Sequence, residues 1–295
     1  MILIDYSQLV VACCLAFPED VKKGKDTNKM MSIIRHTTLS TLLSYKEKYG
    51  KTYGQLVLCA DGRNNWRKEV FPLYKHHRKG AREESSTDWK TIFDFAREFL
   101  GELKAVFPYR VVQVDRAEGD DVIAVLTKYA SEYMVETNGL VEEPPKTLII
   151  SSDGDYKQLH VIKNVRQWNP IMKKMVDAPA KEFLFEKILT GDKGDGVPNV
   201  LSEDDFLVNG EGRAKSITEK VKQRFRDGTI TDVEQRNFQR NKMLIDFNCI
   251  PTEVQTEIVN TFLESTPVKD LNAVMNYLMA NKMRVLLNDL QKFKS

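Results

Sequence analysis

The sequence predicts an α/β protein, with a mostly parallel central sheet flanked by helices and a helical lobe at its C-terminal end. Two patterns lead there. Short β-branched apolar runs alternate with helical stretches through the first 180 residues, and from residue 181 the strand signal gives way to consecutive helices. Strands are expected at 2–4, 55–60, 110–114 and 147–150, each a short apolar run bounded by turn residues. Between them, 30–49 carries apolar residues at helical spacing and closes at Gly50, a residue suited to a helix C-cap. The stretch 88–106 does the same, with Ser86 or Thr87 as N-cap and Pro108 just past its end, and 120–135 is a third helix. A loop is expected at 136–145, because Pro144 and Pro145 neither sit in a central strand nor continue a helix. Later helices fall at 182–189, 214–225, 232–246, 253–263, 271–279 and 283–293. These readings place an α/β domain at 1–180 and a helical lobe at 181–295.

A chain of 295 residues with 42% hydrophobic and 29% charged content has ample material for a packed core. The net charge of +2 carries little information, so the distribution of charge is what matters. Cys13, Cys14, Cys59 and Cys249 lack paired metal-ligand spacing and are expected as reduced thiols of an intracellular protein. No apolar stretch reaches the roughly 20 residues of a membrane span, and the start of the chain reads as a strand rather than a signal peptide.

Each expected strand runs into an aspartate: Asp5, Asp61, Asp115 and, three residues on from the fourth, Asp153. In an open α/β sheet the carboxyl ends of parallel strands form the ligand-binding edge. The next segment adds Glu118, Asp120 and Asp121, and Asp155 follows Asp153 across one glycine. A single aspartate after a strand is commonly just the N-cap of the following helix. The whole set is harder to explain that way, since two carboxylates ~4 Å apart repel by roughly 4 kcal/mol at an effective dielectric near 20. No matching arginine stands beside each acid in the sequence, so bound Mg²⁺, with Mn²⁺ as a substitute, is the expected remedy for an all-oxygen donor set. Calcium-loop spacing fails at two places. The twelfth position counted from Asp153 is Asn164, and counted from Asp192 the glycine position is Val197. His36, His76, His77 and His160 show no zinc-binding spacing.

Directly after Asp61, residues 63 to 82 hold seven Lys or Arg against one acid, for a local charge of +6, with Trp66, Phe71 and Tyr74 interleaved. Cations neutralise phosphates and aromatic faces stack on unpaired bases. Arg63, Trp66, Lys68, Tyr74, Lys79 and Arg82 are therefore candidate nucleic-acid contacts, in a segment extending over 63–87. An acidic metal cluster needs such cations nearby to hold a polyanion over it.

The ordered motifs LIDYS, LCADGR, YKHHRKGAR, AEGDDVIA, ISSDGDYKQL and GDKGDGVPNV resemble the 5′-nuclease (flap endonuclease) family, and within it the phage ribonuclease H type. The resemblance runs from residue 2 to beyond residue 260. It implies a PIN-like 5′-nuclease core and a C-terminal lobe with a helix–three-turn–helix-like element. It also implies a first metal set of Asp5, Asp61, Glu118, Asp120 and Asp153, with Asp121 adjacent, and a second set of Asp155, Asp192 and Asp195. Asp115 drops out, because no motif recruits it. Lys75 and Arg78 match the basic pair at the scissile phosphate, with Arg67 a further candidate. The duplex-gripping turn has its nearest match in Gly210-Glu211-Gly212-Arg213-Ala214-Lys215, making Arg213 and Lys215 nucleic-acid candidates.

The activity implied is Mg²⁺-dependent 5′→3′ exonuclease and flap endonuclease action, removing RNA primers and adjacent DNA from lagging-strand fragments in phage replication. Duplex, flapped and RNA-primed nucleic acid are the implied substrates. The protein would act as a monomer in the cytoplasm of an infected bacterium, and a single-stranded-DNA-binding protein is the implied partner of the C-terminal lobe. Two other readings compete. A haloacid-dehalogenase-like phosphotransferase needs a DxD at its first strand, which Asp5-Tyr6-Ser7 does not supply. A non-catalytic module binding branched nucleic acid would lack members of the acidic set, and none is missing.

Overall fold

The computed structural model describes residues 1–134, 136–138, 141–179, 182–210 and 212–294. The first strands are β1 (Ile2–Asp5), β2 (Leu56–Ala60) and β3 (Arg110–Gln113), and a separate two-stranded antiparallel ribbon pairs β4 (Glu136–Asn138) with β5 (Val141–Glu143). The remaining strands are β6 (Thr147–Ile150), β7 (Val165–Asn169) and β8 (Lys174–Met175). The main sheet has the order β3-β2-β1-β6-β7-β8, parallel throughout except for the β7–β8 pair at one edge. Chain order reverses at β1, whose neighbours are β2 and β6. That reversal opens a crevice at the carboxyl ends of β1 and β6, where open α/β sheets bind ligands.

Alternation along the strands splits the core into two layers. Ile2, Ile4, Leu58, Val111 and Leu148 face the helices Tyr6–Leu15, Thr27–Tyr53 and Trp89–Val106, whereas Leu3, Val57, Val112 and Ile149 face the helix Gly119–Tyr133. Both layers are completed by the C-terminal helices. Val274, Leu278 and Phe293 join the first, and Phe247, Val254, Ile258 and Phe262 join the second. The segment 250–293 therefore packs as core, with the Phe293 ring 5.5 Å and the Tyr277 ring 5.1 Å from that of Phe107.

Several boundaries differ from expectation for local reasons. The first long helix continues past Gly50 to Tyr53, because the positive-φ terminator is Gly54 (φ 81°). Its start is set by Asp26, whose carboxylate accepts from Asn28 and Lys29 N–H. Asp88, expected inside a helix, is instead the cap of Trp89–Val106, accepting from Thr91 N–H at 3.1 Å. The third helix begins one residue early, at Gly119, and ends at Tyr133; residue 135 of its expected span lies outside the described residues. The expected loop at 136–145 contains the β4–β5 ribbon. The helix expected at 214–225 starts only at Glu219, capped by the Thr218 hydroxyl. Strands β7 and β8 and the helix Tyr6–Leu15 were not anticipated. In β7, the buried positions include the polar Gln167 and Asn169, which masks the strand's apolar signature.

Candidate active site

Each acid is placed by the end of an element. Asp5 closes β1 and caps the helix Tyr6–Leu15, accepting from Gln8 N–H at 2.9 Å. Asp61 follows β2 and accepts from Gly119 N–H and the Ser7 hydroxyl, both at 2.7 Å. Gly62 is required beside it, because a Cβ there would lie 1.8 Å from the Val114 carbonyl oxygen. Glu118 and Asp120 stand at the start of the helix Gly119–Tyr133. Asp153 lies beyond β6, its carbonyl fixed by the buried Gln167 amide at 2.6 Å. Asp192 and Asp195 occupy the turn closed by the Asp192–Val197 bridge. Gly191 enters that turn at φ 69°, and a Cβ on it would lie 2.4 Å from the Val197 carbonyl oxygen.

Asp5, Asp61, Glu118, Asp120, Asp153 and Asp195 line one cleft of about 1040 Å³, whose other wall carries Lys68, Lys75, Arg78, Lys79 and Arg82. Asp155 and Asp192 do not line it and form a neighbouring pair joined by Lys187. The electrostatics divide the acids. Burial, reinforced by Asp61 and Asp153, pushes the Asp5 carboxyl up to about 7, and burial also pushes Asp120 well above the ordinary carboxylate range. Among the described residues neither has a basic partner within ion-pair distance. Burial would raise Glu118 too, but Lys75 and Arg67 hold it below the usual value. Lys75 Nζ lies 2.6 Å from Glu118 and 3.5 Å from Asp195, and Arg78 Nη2 lies 2.6 Å from Asp195.

Three expectations are corrected. Trp66 and Tyr74 are each 1% exposed and offer no face for a base to stack on. Trp66 N–H donates to Asp121 at 3.1 Å, and the Tyr74 hydroxyl lies 2.9 Å from Glu118 and 2.7 Å from Asp195. Asp121 is fully buried, with its carboxylate taken by the Arg67 guanidinium (2.7 and 2.9 Å), Trp66 N–H and Glu118 N–H, and it does not line the cleft. Arg67 is itself buried, also donating to the Leu244 carbonyl at 2.9 Å, which keeps it from a phosphate in the cleft. Arg63, Arg213 and Lys215 are exposed but do not line the cleft. Sequence reasoning missed Lys187, Ser7, Gln167 and Tyr156, whose hydroxyl donates to Asp5 at 3.3 Å. Lys187 could have been noticed as a lone cation five residues before Asp192 on an apolar helix, whereas the others are polar residues with no charge to flag them.

Divalent cations fit this set. Every donor is a hard oxygen, and neither Asp5 nor Asp120 has an ion-pair partner among the described residues. Among the described residues no three acids, histidines or cysteines are drawn close enough to enclose an ion as they stand.

A doubly flanked parallel sheet with an acid-lined, cation-walled cleft at its switch point defines a nuclease-type site. A family model for the 5′-3′ exonuclease N-terminal resolvase-like domain matches residues 1–189, and one for the C-terminal part of T4 RNase H matches 180–293. Ribonuclease H of Enterobacteria phage T4 is 35% identical, over 99% of this chain and 95% of that protein. The fold also matches the phage T5 5′-exonuclease bound to divalent zinc (TM-score 0.61, 16% identity, 90% of this chain and 98% of that one). A phage T5 flap endonuclease in complex with DNA and metal ions gives 0.58 at 16% identity, covering 89% of this chain and 97% of its own. The chain belongs to the 5′-3′ exonuclease family of metal-dependent 5′ nucleases.

Proposed function

We propose that this chain is a Mg²⁺-dependent 5′→3′ exonuclease and flap endonuclease that removes RNA primers and adjacent DNA from lagging-strand fragments during phage replication. The observation that carries the reading is the cleft in which Asp5 and Asp120, neither in an ion pair among the described residues, are lined up with Lys75 and Arg78. Asp5, Asp61, Glu118, Asp120 and Asp153 would hold one ion, and Asp155, Asp192 and Asp195 a second, with Mn²⁺ able to replace Mg²⁺. Bound there, such ions lower the pKa of a water and stabilise charge developing at phosphorus. Lys75 and Arg78 position the scissile phosphate, while Lys68, Lys79, Arg82 and Arg63 hold flanking phosphates. Arg213 and Lys215, exposed on the C-terminal lobe, track the duplex. The division at 1–180 and 181–295 is then one of role, with chemistry in the first part and duplex contact in the second. A single-stranded-DNA-binding partner would dock on the second part, where Leu263, Met279 and Val285 are each exposed.

The test is Asp120→Asn, assayed with Mg²⁺ on 5′-labelled flapped, nicked and RNA-primed duplexes. Asparagine keeps the acceptor that Asp121 N–H uses (2.8 Å) and removes the buried charge. Cleavage should be lost on every substrate, while the metal-free protein melts at a higher temperature. Cleavage at the parent rate would overturn the reading, and gel-shift binding by a parent protein that makes no product would favour a binding module.

A further inference from the structure

The cleft chemistry leaves one half-buried cation unexplained. Lys187 lies on the helix Phe183–Thr190, with its side chain only 24% exposed, and its ammonium sits 2.8 Å from Asp155 and 2.5 Å from Asp192. Those carboxylates come from separate elements, the short helix Asp155–Val161 after β6 and the turn before Val197. Lys187 is the only basic side chain paired with either of them among the described residues. Its flexible stem carries a point charge, which matches one lobe of a divalent ion's field but supplies half its charge.

We propose that Lys187 is a tethered counter-ion for Asp155 and Asp192, and that a divalent cation binds these two carboxylates only by displacing its ammonium. The inference rests on the two-ion reading above. Lys187 is thus a positioning residue that sets how tightly the second ion is held. It also offsets half of the acid pair's charge while that ion is absent, so the turn carrying Asp192 and Asp195 stays folded against the short helix.

Mn²⁺ binding to the intact protein, counted from the free-ion paramagnetic resonance signal, separates the possibilities. Removing a unit charge a few ångströms from a divalent ion should tighten the weaker binding step on the order of tenfold or more. Lys187→Met should show that gain, and Lys187→Gln should show it as well, since the amide retains polarity without charge. Lys187→Arg should stay near the parent. Without metal, both neutral variants should melt lower than the parent, and Mn²⁺ should raise their melting temperature by more than it raises the parent's. A purely structural lysine would weaken ion binding or leave it unchanged when removed, and either result overturns the proposal. Two bound ions with equal affinity in parent and variants would overturn the role of Lys187 alone. Failure of every form to bind a second ion would overturn the two-ion reading and this inference together.

Discussion

Replacing Arg67 by methionine should destabilise the protein far more than it disturbs the cleft. The guanidinium is 2% exposed and spans three elements. It forks onto Asp121 at 2.7 and 2.9 Å at the start of the helix Gly119–Tyr133, and donates to the Leu244 carbonyl at 2.9 Å near the end of the helix Asp232–Ile245. Methionine fills similar apolar volume but strands the Asp121 carboxylate, which has no water to turn to. Breaking one side of a buried pair costs about 3–5 kcal/mol. For 295 residues at ~2.1 cal/mol/K each, the unfolding entropy is about 0.6 kcal/mol/K, so the melting temperature should fall by about 5–8 °C. Urea unfolding monitored by circular dichroism measures the loss directly. The companion Asp121→Asn removes the stranded charge while keeping an acceptor for Trp66 and Glu118 N–H. The double variant should therefore recover about 2 kcal/mol relative to the sum of the single losses. A loss under about 1 kcal/mol for Arg67→Met, or strict additivity, would refute the assignment of Arg67 and Asp121 as a structural pair.

Two other outcomes follow from named contacts. Lys75→Ala removes the cation nearest Glu118 and should slow single-turnover cleavage by about 10²-fold or more, with affinity for a flapped duplex falling much less; equal losses in rate and affinity would contradict its role at the scissile phosphate. Glu102 is pushed up by burial but held below the usual range by hydrogen bonds from Arg35 and Tyr277, so its folded-state pKa lies under its unfolded one. The resulting stability is present at neutral pH and lost as pH falls through the folded value. Glu102→Gln should therefore unfold at lower urea than the parent at pH 7, and the gap should close as pH falls below the ordinary carboxylate range.

The sheet interior was legible because β1, β2 and β6 are buried on both faces, and such strands read as unbroken apolar runs. The acids were legible because each follows such a run. What eluded the sequence was direction. Trp66, Arg67 and Tyr74 sit in the most basic stretch of the chain, and composition alone points all three at a ligand. The short helix Arg67–Val70 turns them inward, onto the start of the helix Gly119–Tyr133 and the turn that carries Asp195. Lys75 and Arg78, a few residues on, face the cleft. Charge pattern reports how many cations are present and says nothing about which ones pair with buried acids 50 to 120 residues away. Asp121 shows the same limit from the other side. It sits in a run of acids indistinguishable by sequence, and only packing assigns its oxygens to Arg67.

The packing of Phe293 against Phe107 bears on how the chain is made. One layer of the sheet core stays open until residues 274–293 leave the ribosome, long after Phe107 has done so. At about 5–20 residues per second, that interval lasts roughly 10–40 s. During it, Phe99, Leu103 and Phe107 present an apolar face to whatever else is nascent or newly released nearby. Synthesis rate and chaperone supply thus join stability in setting how much of this nuclease reaches its native state, and a chain halted before residue 274 should collect in the insoluble fraction.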